Sequence, residues 1–381
     1  MQSGLKIGDL AAEAGLNRIH MLAWRDLADV EAGGSEIHAS MVASHWAHAG
    51  IDVTMRTSYA QGAPPETMRD GYKVVRRAGR YLIFPRAVAA ELAGRHGPRD
   101  GLVEIWNGVP FFSPIWASGP RVTWLHHVHE DMWPLVLPPG LARMGRILER
   151  RLAPPFYRGT QVITLSHSSR EHLLDRLRLP AANIHVVPPG VDARYRPGLS
   201  KTPEPTVLAV GRLMPSKSFD ALIRAVHELR DDVPARLIIV GEGYARDELE
   251  RLIASFGAEE WCELAGRVDD DELVRRYQES WVVASSSRSE GWGMTLTEAA
   301  ACATPAVATR IPGHIDAVRD GIGGLLVDSD DEFVGALRAV LTDESIRSRL
   351  SEGALRTAQE LTWDRTAYET LSVLAATARR R

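Results

Sequence analysis

Short apolar runs alternate with longer amphipathic stretches along almost the whole chain, and no other feature limits its fold so strongly. In the first half the strand-like runs are residues 18–23, 51–57, 101–105, 121–125, 161–165 and 184–187, with helical stretches such as 35–49 and 141–151 between them. The second half restarts the pattern, with runs at 206–210, 236–240, 261–264, 281–284, 306–308 and 324–327. Strands that alternate with helices at this spacing imply parallel sheets covered by helices on both faces. Pro188-Pro189-Gly190, Arg196-Pro197-Gly198 and Pro203-Glu204-Pro205 break the pattern at mid-chain and suit an interdomain linker. At roughly 100–200 residues per domain, a chain of 381 residues then holds two doubly wound α/β domains. The expected boundaries are 1–190 and 200–362. In open α/β sheets ligands bind beyond the carboxyl ends of the strands, so the chemistry is sought in the loops that follow them.

The apolar share of 45% and charged share of 25% are ordinary for a globular chain, which excludes disordered, collagenous and disulfide-stapled classes. The net charge of −4 hides a split. Residues 1–200 carry 23 Lys plus Arg against 18 Asp plus Glu, a net of +5, and the remainder carries 22 against 31, a net of −9. Lys6, Lys73, Lys201 and Lys217 are the four lysines, so a lysine inside a motif carries information. Cys262 and Cys302 form no C-x-x-C pair and read as buried thiols in a reducing cytoplasm. The opening MQSGLKIGDLAAEAG lacks the basic start and apolar core of a signal peptide, and no apolar run reaches the ~18 residues of a membrane span. The expected location is cytoplasmic. Basic residues are dispersed outside any nucleic-acid-binding motif, so no nucleic-acid partner is expected.

Two loops of the second half carry the clearest chemistry. Gly211-Arg212-Leu213-Met214-Pro215-Ser216-Lys217 follows the run 206–210 and leads into a helix expected near Ser216. It sets two cations at a helix N-terminus, where anions are already favoured. That combination fits a diphosphate, although two solvated surface cations would look the same. The second loop, Ser289-Glu290-Gly291-Trp292-Gly293-Met294-Thr295-Leu296-Thr297-Glu298, follows the run 281–284, with a helix starting near Met294. Its glycines let backbone N–H groups approach a ligand, and a carboxylate, Glu290 or Glu298, can accept from two hydroxyls of a ribose or sugar, although a surface glutamate plus a capping carboxylate would look the same.

This loop resembles the E-x7-E motif of retaining glycosyltransferases of family 4, the group 1 enzymes of the GT-B fold. The resemblance spans nearly the whole chain: Ala32-Gly33-Gly34-Ser35-Glu36, the run 165–170, Val186-Val187-Pro188-Pro189-Gly190-Val191-Asp192, Gly211-Arg212 with Lys217, Val240-Gly241-Glu242-Gly243, Leu264-Ala265-Gly266-Arg267-Val268 and the glycine-rich 320–327 follow in family order. It implies two Rossmann-like domains facing a cleft. The acceptor side is the N-terminal domain, to which residues 363–381 cross back, and the nucleotide-sugar domain is C-terminal. It implies that Arg212 and Lys217 neutralise the diphosphate, that Glu290 faces the transferred sugar near the amides of Gly291, Trp292, Gly293, Met294 and Thr295, and that Glu298 holds the ribose. Gly266, Arg267 and Val268 would frame the base. Asp269 or Asp270 would accept from guanine N–H groups, unless Asp269–Glu272 are simply the acidic first turn of a helix. Asp328-Ser329-Asp330 also reads as a helix start, not as a metal-binding D-x-D. The Gly33-Gly34 turn, before a helix expected at Ser35, would offer backbone amides to the donor phosphate.

His126-His127-Val128-His129 follows the run 121–125. Three imidazoles invite a metal, but no further ligands are identifiable by spacing. The family aligns one histidine here with the donor sugar, and His126 fits best, while His127 and His129 line the acceptor pocket or are structural. Two stretches make the first half basic: Arg76, Arg77, Arg80 and Arg86 around residues 81–84, and Arg143, Arg146, Arg150 and Arg151 on a helix with Leu141, Met144, Ile147 and Leu148. The second is expected to bury its apolar stripe as an ordinary surface helix, with peripheral attachment to the inner face of the plasma membrane left open.

The resemblance therefore implies a carbohydrate-biosynthetic enzyme that moves a hexosyl group from GDP-mannose or a UDP-sugar to an acceptor hydroxyl with retention. No cofactor or metal is expected, since side chains neutralise the diphosphate. The acceptor could be a sugar, a lipid or a small natural product. A nucleotide-sugar epimerase on the same fold and a catalytically silent carbohydrate-binding homologue are the alternatives.

Overall fold

The computed structural model describes residues 6–129 and 132–379. Contacts divide the chain into two compact units, Met1–Gly190 with Trp363–Arg381, and Val191–Thr362. Of the opening segment read against a signal peptide, residues 1–5 lie outside the described residues, and the helix Ile7–Ala14 follows them.

Unit 1 holds an eight-stranded sheet: β1 (Arg18–Leu22), β2 (Asp52–Thr57), β3 (Glu66–Arg69), β4 (Tyr72–Arg76), β5 (Gly101–Ile105), β6 (Arg121–Trp124), β7 (Gln161–Thr164) and β8 (Ile184–Val186), in the order β3-β4-β2-β1-β5-β6-β7-β8. Every residue of β5 and β7 is buried, as sandwiching between helix layers requires. The expectation of a wholly parallel sheet fails at one edge, where β3 and β4 pair antiparallel. The turn between them has Asp70 at φ 43° and Gly71 at φ 86°. Two successive positive φ values define the mirror-image turn that Asp-Gly favours and that matches strand twist. β3 is an edge strand of alternately exposed residues, so it lacks the apolar run by which the other strands are legible.

The helix Trp363–Arg379 belongs to unit 1. It buries Trp363, Ala367, Leu371 and Leu374, and its Ala367 carbonyl accepts from Trp46 Nε1 at 2.9 Å. Thr366 Oγ1 donates to the Pro188 carbonyl at 2.8 Å.

Unit 2 is a six-stranded parallel sheet of β9 (Thr206–Val210), β10 (Arg236–Val240), β11 (Cys262–Gly266), β12 (Val282–Ser285), β13 (Ala306–Thr309) and β14 (Gly324–Val327), ordered β11-β10-β9-β12-β13-β14. Strand residues alternate between two apolar cores. Val207, Ala209, Leu237 and Ile239 enter one, while Leu208, Ile238 and Val240 enter the other with Leu296 and Ala299. Cys262 and Cys302 are buried free thiols, each pushed up to about 12 by that burial. Much of the segment expected to be a linker is instead fastened to unit 2. Val191 bridges Thr362, Gln278 Nε2 donates to the Arg196 carbonyl at 2.7 Å, and Trp281 Nε1 donates to the Thr202 carbonyl at 2.8 Å.

A second correction concerns the basic helix of unit 1. It runs Pro139–Ile147 and continues as a wider turn over Leu148–Leu152. Most of its apolar stripe is not buried: Leu141, Met144 and Ile147 are 49%, 61% and 39% exposed, and Leu148 is half-buried. The inward face is made of Ala142, Gly145 and Glu149. A Cβ on Gly145 would meet the Trp133 ring at 2.8 Å, so this face must be small. Glu149 accepts from the His129 backbone N–H at 2.8 Å and from Trp133 Nε1 at 3.0 Å, which orients the helix by hydrogen bonds. Among the described residues no helix is long and apolar enough to cross a membrane.

Candidate functional site

In unit 2 the chain builds β9, β10 and β11 outward in one direction, then returns to the other side of β9 with β12. The loops after β9 and β12 therefore lie at the sheet's topological switch point, where such folds open a crevice. The first loop runs through Gly211 and Arg212 to a short turn at Pro215–Lys217, and its helix, Phe219–Leu229, begins later than Ser216. The second leads into the helix Met294–Ala301, which begins at the expected residue. Its N-cap, Gly293, has φ 106°, which a side chain rarely adopts, so the close turn needs glycine.

The two loops are stitched together. Ser286 Oγ donates to the carbonyls of Lys217 and Ser218 at 3.1 and 2.8 Å, and the Arg288 N–H donates to the Ser216 carbonyl at 2.9 Å. Across this seam Lys217 forms an ion pair with Glu290. Ser287 Oγ donates to the same carboxylate oxygen at 2.9 Å. Burial alone would raise the Glu290 pKa, but Lys217, with help from His314 and Ser287, outweighs it and holds the group at about 2. Glu290 is thus a fixed anion across the neutral range. Arg212 is half-buried on the first loop. Gly291 and Trp292 are buried, and the Trp292 indole N–H has no hydrogen-bond partner among the described residues. Met294 and Thr295 are half-buried in the first turn of the helix.

Glu298 behaves oppositely. It accepts from Tyr277 Oη at 2.8 Å, and burial, reinforced by Asp192 and Asp270, pushes its pKa up to about 7. Gly266 ends β11, and Arg267 is exposed beyond it, while Val268 packs on the core of that face. The acidic run opens the helix Asp270–Glu279: Asp269 is its N-cap, accepting from the Glu272 N–H at 2.8 Å. Asp270 pairs with Arg194. These aspartates do open a helix, as one of the two readings expects. Ser329 likewise caps the helix Asp330–Thr342.

The sequence reading missed Ser287, Tyr277 and His314. His314 Nδ1 lies 2.9 Å from the Thr309 carbonyl and Nε2 lies 3.3 Å from Ser285 Oγ. Burial lowers its pKa despite the nearby Glu290. A neutral ring with Nδ1–H directed at a carbonyl leaves Nε2 to accept from Ser285. Its signal in the sequence was Gly313-His314, opening a short helix after β13.

In unit 1, Gly33 is the N-cap and Gly34 the first residue of the helix Gly34–His48, and the Gly33 N–H donates to Glu36 Oε2 at 2.8 Å. This turn follows β1, at the switch between β2 and β5. The preceding loop is held by cations: Asp26 pairs with Arg69 and Arg76, and Asp29 pairs with Arg80. Part of the first basic stretch is therefore structural. His126, beyond β6, is 5% exposed, with Nε2 3.2 Å from His38 Nδ1. Burial lowers both pKa values, that of His38 to about 3. His38, also missed from sequence, packs between Trp124 and Trp363 at 4.6 and 5.8 Å. His127 and His129 stack on each other, 4.2 Å apart. The three imidazoles thus do not converge, and among the described residues no cluster of three or more His, Cys, Asp or Glu side chains is placed to hold a metal ion.

Two doubly wound units, one with a cationic, glycine-opened switch point, define a GT-B architecture. Family models agree: Glyco_transf_4, "Glycosyltransferase Family 4", matches residues 32–195, and Glycos_transf_1, "Glycosyl transferases group 1", matches 193–357. A D-inositol 3-phosphate glycosyltransferase of Xylanimonas cellulosilytica is 30% identical over 92% of this chain and 93% of its own. Among solved structures, sucrose-phosphate synthase of Thermosynechococcus elongatus superposes with a TM-score of 0.80 at 19% identity over 93% of this chain and 97% of that one. HepE of Anabaena, in complex with UDP and glucose, gives 0.70 at 17% over 93% and 98%. The chain belongs to glycosyltransferase family 4, the group 1 glycosyl transferases.

Proposed function

We propose that this glycosyltransferase moves a hexosyl group from a nucleoside diphosphate sugar, GDP-mannose or a UDP-sugar, to an acceptor hydroxyl with retention at the anomeric carbon. The Lys217–Glu290 pair at the switch point of unit 2 is the observation that carries this reading. A cation and a fixed anion side by side suit a bond that breaks into a diphosphate and a sugar. Arg212 and Lys217 hold the developing diphosphate charge, helped by the helix N-terminus at Met294. Gly211 lets the backbone come close. Glu290 accepts from a hydroxyl of the transferred sugar, beside the backbone of Gly291, Trp292, Gly293, Met294 and Thr295. Glu298 holds the ribose hydroxyls, and Arg267, Val268 and Asp270 lie towards the base. Cationic side chains do the work that a metal would otherwise do. Lys217 engages Glu290, which leaves it a poor covalent nucleophile, so attack occurs on the same face as departure, assisted by the leaving phosphate. In unit 1, His126 offers a neutral imidazole to a sugar hydroxyl and Gly34 a backbone amide to a phosphate, while the Gly33 N–H is taken by Glu36.

The relatives' name makes D-inositol 3-phosphate the first acceptor to test, before other sugars, lipids and small natural products. Incubation with UDP-, GDP- and ADP-sugars and this acceptor, read by the anomeric coupling in the product's NMR spectrum, tests the reading. An inverted product sinks retention. Failure of every nucleotide sugar to raise the melting temperature sinks the donor site. Donor converted without any acceptor points to the epimerase alternative.

The exposed stripe of Leu141, Met144 and Ile147, flanked by Arg143, Arg146, Arg150 and Arg151, supports a second reading: a cytoplasmic enzyme that docks on an anionic bilayer. Co-sedimentation with phosphatidylglycerol vesicles that persists in L141E/M144E would rule this out.

A further inference from the structure

Unit 1 has a cavity of about 700 Å³ that none of the proposed transfer residues lines. Arg56, Lys73, Arg77, Arg86 and Arg95 surround it with His96, and Glu66 is the carboxylate in its lining. Ala89 and Ala90, from the helix Ile83–Leu92, form an apolar wall. Arg56, on β2, is 5% exposed. One of its terminal nitrogens donates to the Arg77 carbonyl at 2.9 Å, and its Nε has no hydrogen-bond partner among the described residues. His96 Nε2 is likewise buried and unpartnered. Glu66 is shared by Lys73 and Arg77, at 3.1 and 2.5 Å. Nearby Glu91 is engaged by His20 and Arg99. Arg86 and Arg95 make no ion pair among the described residues. Burial, and after it Arg77 and Arg86, lower the Arg56 pKa.

The cavity reaches from mid-sheet to the strand ends: Lys73 on β4 is level with Thr54 on β2 and so with His20, the middle of β1, while Arg56 is level with Leu22, the last residue of β1, and Arg77 follows β4. Gly33, Gly34 and His126, which follow β1 and β6, are not in its lining. Five cations with one shared carboxylate repel one another unless an anion joins them, and guanidinium forks match phosphate oxygens two at a time.

We propose that this cavity is a second anion site, taking a soluble phosphate-bearing small molecule of at least two negative charges. Calorimetric titration with inorganic pyrophosphate at low salt tests it on the full chain. Arg86 and Arg95 are exposed, so R86A/R95A should fold, as an unchanged Tm would verify. That variant should lose at least tenfold in affinity at a site that Lys217→Ala retains. Glu66→Gln removes the internal competitor and should bind pyrophosphate several-fold more tightly, a gain that a merely structural pocket would not show. Pyrophosphate binding that survives R86A/R95A, that Glu66→Gln fails to strengthen, or that Lys217→Ala alone abolishes overturns the proposal. Phosphatidylglycerol vesicles separate a lipid headgroup from free phosphate: vesicle binding lost in R86A/R95A, with no pyrophosphate binding in the wild type, overturns the soluble ligand.

Discussion

Both units open a helix with glycine after a strand at the sheet's switch point, yet they surround that helix with opposite chemistry. In unit 2 the neighbours of the helix Met294–Ala301 are ionised, with Lys217 against Glu290. In unit 1 the helix Gly34–His48 carries His38, which meets His126, and burial keeps both rings neutral. The scaffold therefore sets where a ligand can approach, while local burial and pairing set what charge it meets. Ionised walls suit a diphosphate and neutral walls suit a hydroxyl.

The comparison breaks most visibly if Lys217 is not needed. Lys217→Ala should lower turnover about 10²-fold, roughly 2.7 kcal/mol in the barrier, with the fold intact by circular dichroism. Unchanged kcat in the folded variant would remove the ionised half of the contrast. Glu290→Gln should cost about tenfold or more in kcat, while calorimetry finds donor affinity nearly unchanged. A next, smaller effect concerns Glu298, whose pKa of about 7 leaves it part-protonated at neutral pH. In its proposed role as acceptor for two ribose hydroxyls it must be ionised, so on that reading donor affinity should rise several-fold from pH 6 to pH 8. Glu298→Gln should flatten that slope, and a slope that persists in it assigns the titration elsewhere.

The smallest expected effect is on stability. The folded pKa of Glu298 is raised above its ordinary value of 4.5, so its contribution is fully present below 4.5 and is lost as pH rises through 7. His38 is depressed from 6.5 to about 3, so its contribution is present above 6.5 and is lost as pH falls. Acidification from pH 7 to 5 should therefore weaken unit 1 through His38 and favour unit 2 through Glu298. Calorimetric scans of His38→Gln and Glu298→Gln should show that pH dependence reduced in each, and scans that match the wild type would refute the contrast.

Much of this was legible in the chain. Val, Ile and Leu runs mark strands buried on both faces, and the helix at Met294 follows from two glycines before a helix-forming run. The edge hairpin was not, because β3 buries too little to need apolar residues, although Asp70-Gly71 announced its turn. The stripe of Leu141, Met144 and Ile147 looked like a buried face. Periodicity shows that a helix has an apolar side but not that Trp133 already fills the space against its small side. The pairs Asp26–Arg76 and Lys217–Glu290, like the contact of His38 with His126, join residues 50 or more positions apart. No local spacing encodes such pairs. The carboxylate and the lysine were each visible, but not their union.

The helix Trp363–Arg379 also sets an order of events during synthesis. Unit 2 is an insertion whose ends, Val191 and Thr362, are paired side by side. Unit 1 is begun first but needs residues 363–379 to cover Trp46 and to complete the layer over its sheet. On the ribosome, the inserted unit can therefore finish folding while the unit that precedes it still waits for its closing helix.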